Sequence, residues 1–414
     1  MSQSIAIFGA GRSGRAARRL AETLGHGVVL FDERDEGDFA IFEADQVSEF
    51  DRFVFSPGFA SDHPWRVLAQ ASGKRCLSEL VFGVAEWPGK CIGVTGTNGK
   101  TTVTALLRDA LITSGRKAVA CGNFGLPMSE AVTDFATDPD TIAVVEVSSF
   151  QAELSDGLSL NALLWTNFAE DHLDRYPALS DYFAAKANLV RCLEPGAPAV
   201  YGPGLRARLE AAELLDEGSR FTRAGLELVK QLNESSPFVD YPHRHNLEMV
   251  ATYWATEGYP FEPLMEAANA FLLPDHRLQR VREINDVSYW NDSKATNFHA
   301  ALAAVSGMKL PVVWIGGGRS KGGDLEAFGR AIGSSVEIAV LYGEVADALA
   351  GAVLNTVPNV RICPRFEDAV VAAHELAGTI EEAQVLLSPG FASFDQFSSY
   401  EERGKTFISI VLGL

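Results

Sequence analysis

Along this chain short apolar, β-prone runs alternate with longer stretches whose apolar positions suit helices. That alternation predicts an α/β fold built on mostly parallel sheets. A first block opens with a strand at Ile5–Phe8, a turn over Gly9–Gly14, a helix through Leu24 and a second strand at Val28–Asp32. It closes near Trp87-Pro88-Gly89, a composition suited to a linker. A second block starts with a strand at Cys91–Thr95, a glycine-rich turn and a helix from Lys100, with further strands at Ile142–Val147 and Ala162–Thr166. A polar stretch runs from Pro195 to Pro242, and helical patterning resumes at Asn246. After Leu273-Pro274-Asp275-His276-Arg277, strands are expected at Val287–Trp290, Pro311–Ile315, Ile338–Tyr342, Val360–Ile362 and Val385–Leu387. There is no internal repeat or low-complexity segment. The expectation is three α/β domains at 1–88, 89–274 and 275–414.

Bulk properties narrow the function. A chain of 414 residues is too long for one ordinary core, and 47% hydrophobic with 21% charged residues fits a soluble globular protein. No apolar run approaches bilayer length, so no membrane partner is expected. From Met1 the chain passes directly into the first strand without a basic segment or long apolar segment, which predicts no export leader. Five scattered cysteines, none in CxxC spacing, fit reduced thiols in a cytoplasm. A formal net charge of -19 disfavours nucleic acid, yet it leaves open small anions held by local amides, Lys and Arg.

The string GVTGTNGKTT, Gly93 to Thr102, lies where a strand meets a helix. A tight glycine turn there aims backbone N–H groups at phosphates, and the helix start adds partial positive charge. Lys100 would neutralise β/γ-phosphate oxygens, and Thr101 or Thr102 would ligand Mg²⁺. The usual first glycine of such loops is Val94 here, so this is a tighter GTNGKTT form, and an ordinary glycine turn is the bland alternative. Glu146 is the one charge on its strand and ends it, where ligands bind in parallel sheets; a satisfied buried acid competes with a Mg²⁺ ligand. In Glu170-Asp171-His172-Leu173-Asp174, His172 is a candidate metal ligand or base, although the group could simply cap a helix. Lys186, from helix pattern alone, reads as a solvated surface lysine. Gly9-Ala10-Gly11-Arg12-Ser13-Gly14, with Asp32 ending the next strand, fits a dinucleotide fingerprint, which is weak evidence when it stands alone.

Taken in order, the GTNGKTT loop, the Glu146 strand, Asp171-His172-Leu173-Asp174 and His245-Asn246 resemble the Mur ligase family. The resemblance implies a Rossmann-like N-terminal UDP-substrate domain, a central P-loop-type ATPase domain and a Rossmann-like C-terminal domain. It implies ATP, two Mg²⁺ ions and carbamylation of Lys186, which turns an amine into a metal-binding carboxylate. Asn291-Asp292-Ser293-Lys294-Ala295-Thr296-Asn297, the run from Leu387 to Phe397 and Glu402-Arg403-Gly404 are similar to the members that add D-glutamate to UDP-N-acetylmuramoyl-L-alanine. Carried over residue by residue, ATP would meet Gly96, Thr97, Asn98, Gly99, Lys100, Thr101, Thr102, Asn246, Arg277 and Asp292. The UDP substrate would meet Arg12, Ser13, Glu33, Arg34, Gly58 and Asn123, and D-glutamate would meet Thr296, Lys321, Ser393 and Tyr400. Thr101, Glu146, His172 and Lys186 would hold metal, with Lys100, His172, Lys186 and Lys321 catalytic. A monomer is expected. Met249 stands where the family has Asn, Tyr400 where it has Phe, and Gly317-Gly318-Arg319-Ser320-Lys321 where it has Gly-Asp-Gly-Lys. An oxidoreductase built on the first glycine turn, and a silent UDP-sugar sensor, remain the alternatives.

Overall fold

The computed structural model describes residues 2–136, 138–222 and 230–414. Among these, three sheets follow one another along the chain. The first holds β1 (Ser4–Phe8), β2 (Gly27–Phe31), β3 (Arg52–Phe55) and β4 (Arg75–Ser78), all parallel in the order β2-β1-β3-β4. Alternation sorts its side chains: Ile5 and Ile7 enter one core, while Ala6 and Phe8 enter an aromatic core with Phe31, Phe53 and Phe55 on the opposite face.

The second sheet comprises β5 (Cys91–Thr95), β6 (Ala118–Gly122), β7 (Ile142–Glu146), β8 (Ala162–Trp165), β9 (Ala199–Tyr201) and β10 (Ser219–Phe221). Its order, β10-β9-β8-β5-β7-β6, is parallel throughout and puts β5 between β7 and β8. The third holds β11 (Gln279–Ile284), β12 (Val287–Asn291), β13 (Val312–Gly317), β14 (Ile338–Tyr342), β15 (Asn359–Cys363) and β16 (Ala383–Gly390), ordered β11-β12-β16-β13-β14-β15. Only β11 runs antiparallel, joined to β12 by Asn285 and Asp286, both at positive φ as a two-residue hairpin turn requires. The pattern reading named neither β11 nor several short strands, β3, β4, β6, β9 and β10 among them.

The chain divides into two compact units. One is Met1–Phe168, Ser180–Ser236 and His245–Phe271; the other is Ala169–Leu179, Pro237–Arg244 and Leu272–Leu414. The first two sheets share a unit because one hydrophobic core spans both, running from Ile5, Leu20 and Val81 to Met128, Val145 and Leu163. Helices Arg12–Thr23, Glu79–Val84 and Met128–Phe135 pack together at this seam.

Candidate active site

After β5 the backbone turns through Gly96 (φ +144°) and Gly99 (φ +82°) into the helix Lys100–Thr113. Both positions exclude a side chain, since an added Cβ would lie 1.9 Å from Thr166 Oγ1 at Gly96 and 2.4 Å from Asn246 Oδ1 at Gly99. The end of β8 clamps the turn. Asn98 N–H donates to Asn167 Oδ1 at 2.9 Å, while Thr166 Oγ1 and Asn167 Nδ2 donate to the Asn98 carbonyl at 2.6 and 3.0 Å. Lys100 curls over its own loop, its Nζ donating to the Gly96 and Thr97 carbonyls at 2.9 and 2.8 Å. A glycine N-cap, a helix start and a lysine at one rigid turn form an anion cradle.

Glu146 ends β7 beside that loop, in register with Val94. It is buried; Oε1 accepts from Asn123 Nδ2 at 2.7 Å, and Oε2 is buried with no hydrogen-bond partner. A buried carboxylate with an unsatisfied oxygen fits a cation. Asn123, carried over above as an acceptor contact, thus also steadies this acid. Lys186 is not the solvated lysine that helix pattern suggests. It is 1% exposed, with Nζ 2.8 Å from the Gly96 carbonyl, 3.4 Å from Thr95 Oγ1 and over the Tyr182 ring. Thr101 is half-buried in the first helical turn and Thr102 fully buried. Among the described residues no three His, Cys, Asp or Glu side chains gather as a metal set.

Beyond the C-terminal end of β1, along the helix Arg12–Thr23, an open cleft of about 590 Å³ is lined by Gly11, Arg12, Arg15, Arg19, Glu36 and Glu130 among others. Arg12 donates to the Gly125 carbonyl at 3.0 Å and pairs with Glu130 at 3.5 Å. Ser13 is half-buried, whereas Glu33 and Arg34 after β2 and Gly58 after β3 are exposed, Glu33 lying 3.2 Å from His63. Asp32 accepts Ala10 N–H at 2.7 Å and Arg34 N–H at 2.9 Å. The Ala10 bond above all, against the opposing effect of partial burial, holds its carboxyl below the usual range. The acid of the dinucleotide fingerprint thus braces the turn it follows, with acceptor capacity remaining on both oxygens.

In the second unit the loops following β12, β16 and β13 lie side by side. Thr296, Asn297, Lys321, Phe391 and Asp171 line a cavity of about 20 Å³, room for about one water. Lys321 Nζ donates to Asp171 Oδ1 at 2.7 Å, and Asn297 Nδ2 donates to Oδ2 at 2.9 Å. Burial alone would raise the Asp171 carboxyl; the charges of Lys321 and His172, with the Lys321 and Asn297 hydrogen bonds, outweigh it and hold the group below its usual range. His172 follows at positive φ, with Nε2 3.7 Å from Asp171 Oδ2. Ser393 is buried, and half-buried Tyr400 lies under the Lys294 ammonium at 3.7 Å. Asp292 is buried, accepting from Leu278 N–H at 3.2 Å and Ser388 Oγ at 2.9 Å. Burial pushes its carboxyl up to about 7 against those bonds and the charges of Arg277 and Arg403. Arg277 is half-buried. Lys100, Glu146, Lys186 and Asn246 thus belong to the first unit, and His172, Arg277, Asp292 and Lys321 to the second.

Known proteins decide what this arrangement serves. The Mur ligase middle domain matches residues 94–213, and the Mur ligase glutamate ligase domain matches residues 276–390. A UDP-N-acetylmuramoylalanine–D-glutamate ligase from Gloeobacter violaceus is 34% identical, with 99% of each chain covered. Ligases of the same name from Synechocystis sp. and Desulfitobacterium hafniense are 33% and 32% identical, covering 99% of this chain and 99% and 97% of theirs. The chain belongs to the Mur ligase family, in its D-glutamate ligase group. Solved Mur ligases share its fold: a UDP-N-acetylmuramate–alanine ligase from Thermotoga maritima (TM-score 0.61, 17% identity, 99% of each chain) and a MurF ligase from the same organism in complex with ADP (TM-score 0.61, 13% identity, 99% of this chain and 94% of that one).

Within this Mur ligase, sequence reasoning passed over Thr166 and Asn167, which brace the phosphate loop, and Asp171 and Asn297, which hold Lys321. Asp171 stood in the motif already singled out for His172. The other three are neutral side chains whose role exists only through contacts far away in sequence. Met249 is fully buried, with Cε turned toward Gly202, so it packs the helix His243–Thr256 onto the end of β9.

Proposed function

We infer that this Mur ligase joins D-glutamate to UDP-N-acetylmuramoyl-L-alanine at the expense of ATP, a step in peptidoglycan precursor synthesis. The observation that carries the reading is the near-complete match, end to end, to ligases of that name, together with the braced phosphate loop at the family's position. The acceptor carboxylate would attack the γ-phosphate of ATP to give an acyl phosphate and ADP. The amine of D-glutamate would then attack that carbonyl, and phosphate would leave. Little covalent work falls to the protein, which must position three substrates and neutralise developing charge.

In this reading Gly96, Thr97, Asn98, Gly99, Lys100, Thr101 and Thr102 cradle the phosphates, and Asn246, Arg277 and Asp292 complete the ATP site. The cleft beside Arg12 and Ser13, with Glu33, Arg34 and Gly58, takes the UDP group, and Asn123 lies toward the muramoyl end. Thr296, Lys321, Ser393 and Tyr400 take D-glutamate. Two Mg²⁺ ions, when bound, would supply Lewis-acid neutralisation of phosphate oxygens. Thr101 and Glu146 would hold one, and the unsatisfied Glu146 oxygen supports that role. His172 and carbamylated Lys186 would hold the other; the burial of Lys186 against the phosphate loop supports a role in the site over that of a solvated surface lysine. The expected setting is a cytoplasmic monomer with domain boundaries at 88/89 and 274/275. No helix among the described residues is long and apolar enough to cross a membrane.

The test is ADP release from the purified protein, crossing nucleotide-sugar acceptors with a panel of D- and L-amino acids. Turnover is expected with UDP-N-acetylmuramoyl-L-alanine and D-glutamate together. Preference for L-alanine, L-lysine or diaminopimelate, or turnover indifferent to the nucleotide sugar, would overturn it.

A further inference from the structure

The seam joining the first two sheets has an apolar side, the three packed helices described above, and a polar side built around an ion pair. Arg66, on the helix Pro64–Ala71, places Nη1 2.7 Å from Glu153 Oε2, with the two side chains 5% and 11% exposed. The same nitrogen donates to the Phe59 carbonyl at 3.1 Å. Beside it, Ser78 Oγ donates to the Leu154 carbonyl at 3.0 Å.

Removing two charges from water costs about as much as their attraction returns, so a buried pair is weak evidence of stabilisation; setting a register is its better-attested use. Here the apolar side already joins the sheets, and Arg66 Nε is buried without a hydrogen-bond partner, a further cost. What the pair contributes is geometry, and its two ends say which. Phe59 closes the turn that begins the loop after β3, where Ser56 Oγ donates to the Gly9 carbonyl at 3.4 Å in the turn beside the Arg12 cleft. Glu153 closes the helix Ser149–Ala152, which a Ser148–Gln151 capping box starts just beyond Glu146.

We propose that the Arg66–Glu153 pair is a positioning strut that sets the loop at residues 56–59 against the Glu146 end of β7, and so fixes the spacing between the nucleotide end and the reacting end of the acceptor. The proposal rests on the reading that the acceptor's nucleotide occupies the first-sheet cleft. A long substrate gripped at both ends converts remote binding into correct placement of its carboxylate only if the two grips keep a set separation. Loosening the strut should therefore weaken a ligand that spans both grips and spare one that fills a single grip.

The test compares wild type, R66M/E153Q and Arg12→Ala by titration with UDP alone, with UDP-N-acetylmuramoyl-L-alanine, with ATP and with D-glutamate. For R66M/E153Q the acceptor KM should rise about tenfold, while UDP affinity and the ATP and D-glutamate KM values stay within about twofold. Arg66→Lys, which keeps the charge but reaches only one of the two partners, should raise the acceptor KM by a smaller factor, about threefold, and serves alone if the double variant does not fold. An unchanged acceptor KM, or an equal loss for UDP and acceptor, would overturn the strut. If UDP does not compete with the acceptor and Arg12→Ala leaves both unaffected, the reading of the cleft fails instead.

Discussion

The phosphate loop and the Lys321 cavity hold their charged groups in opposite ways. At the loop, two glycines without room for a Cβ and the brace from Thr166 and Asn167 lock a turn whose neighbouring carboxylate keeps an unsatisfied oxygen. At Lys321 the cation is already neutralised by Asp171, in a cavity of about 20 Å³. The backbone of the cradle is preformed and Lys100 alone must leave its own loop carbonyls to meet a phosphate, whereas under the proposed reading the second site must give up an internal ion pair and open before an amino acid enters. The first should therefore show its defects in turnover, and the second in the concentration of amino acid needed.

The largest effect expected is from Lys186→Ala, with turnover lowered on the order of 10³-fold and partly restored by acetate or formate. Intact-mass analysis of active wild type should find the carbamate, and fully active enzyme with an unmodified Lys186 would end that account. Next, Lys321→Ala should raise the D-glutamate KM about 10²- to 10³-fold, since losing one partner of a buried ion pair costs about 3–5 kcal/mol. The acceptor KM should hardly move, and parallel titrations of both substrates check the split; an unchanged D-glutamate dependence would erase the contrast between the sites.

Met249→Ala probes the packing behind the first region. As a buried methionine it should lower unfolding free energy by about 2–5 kcal/mol with little change in ATP-over-GTP preference. A loss of base selectivity without a loss of stability, read by denaturant titration and nucleotide competition, would assign the side chain to nucleotide recognition and not to packing. The smallest effect belongs to the second region. With the Asp292 carboxyl raised to about 7 by burial, the folded state binds more protons than the unfolded state between pH 4 and 7, each figure being about the group's unfolded and folded value. The contribution of Asp292 to stability should accordingly be greatest at the low end of that window and fall as pH rises through it, by on the order of 2 kcal/mol between about pH 5 and 8. Asp292→Asn should flatten the slope, measured as unfolding free energy against pH, and an equally steep slope in the variant would assign it to other groups.

Local chemistry was readable without a fold. Gly-Lys-Thr-Thr after an apolar run, one charge ending a strand, and a helix opening on a glycine turn each concern residues within a few positions of one another, where backbone geometry and spacing suffice. Alternating apolar positions likewise announced α/β architecture, because the period of a strand or helix is a property of neighbours in sequence. The structure alone decided which of these pieces meet. Lys186 looked like a surface lysine because a helix pattern does not say what covers each face. Asp171 and Lys321, Arg66 and Glu153, and Asn167 and Asn98 are brought together from 150, 87 and 69 positions apart. So is the core that spans the first two sheets. Contacts of that range follow from strand order and helix packing, which no local periodicity encodes, and they convert a readable motif into a braced loop, a latched cation and a fixed seam.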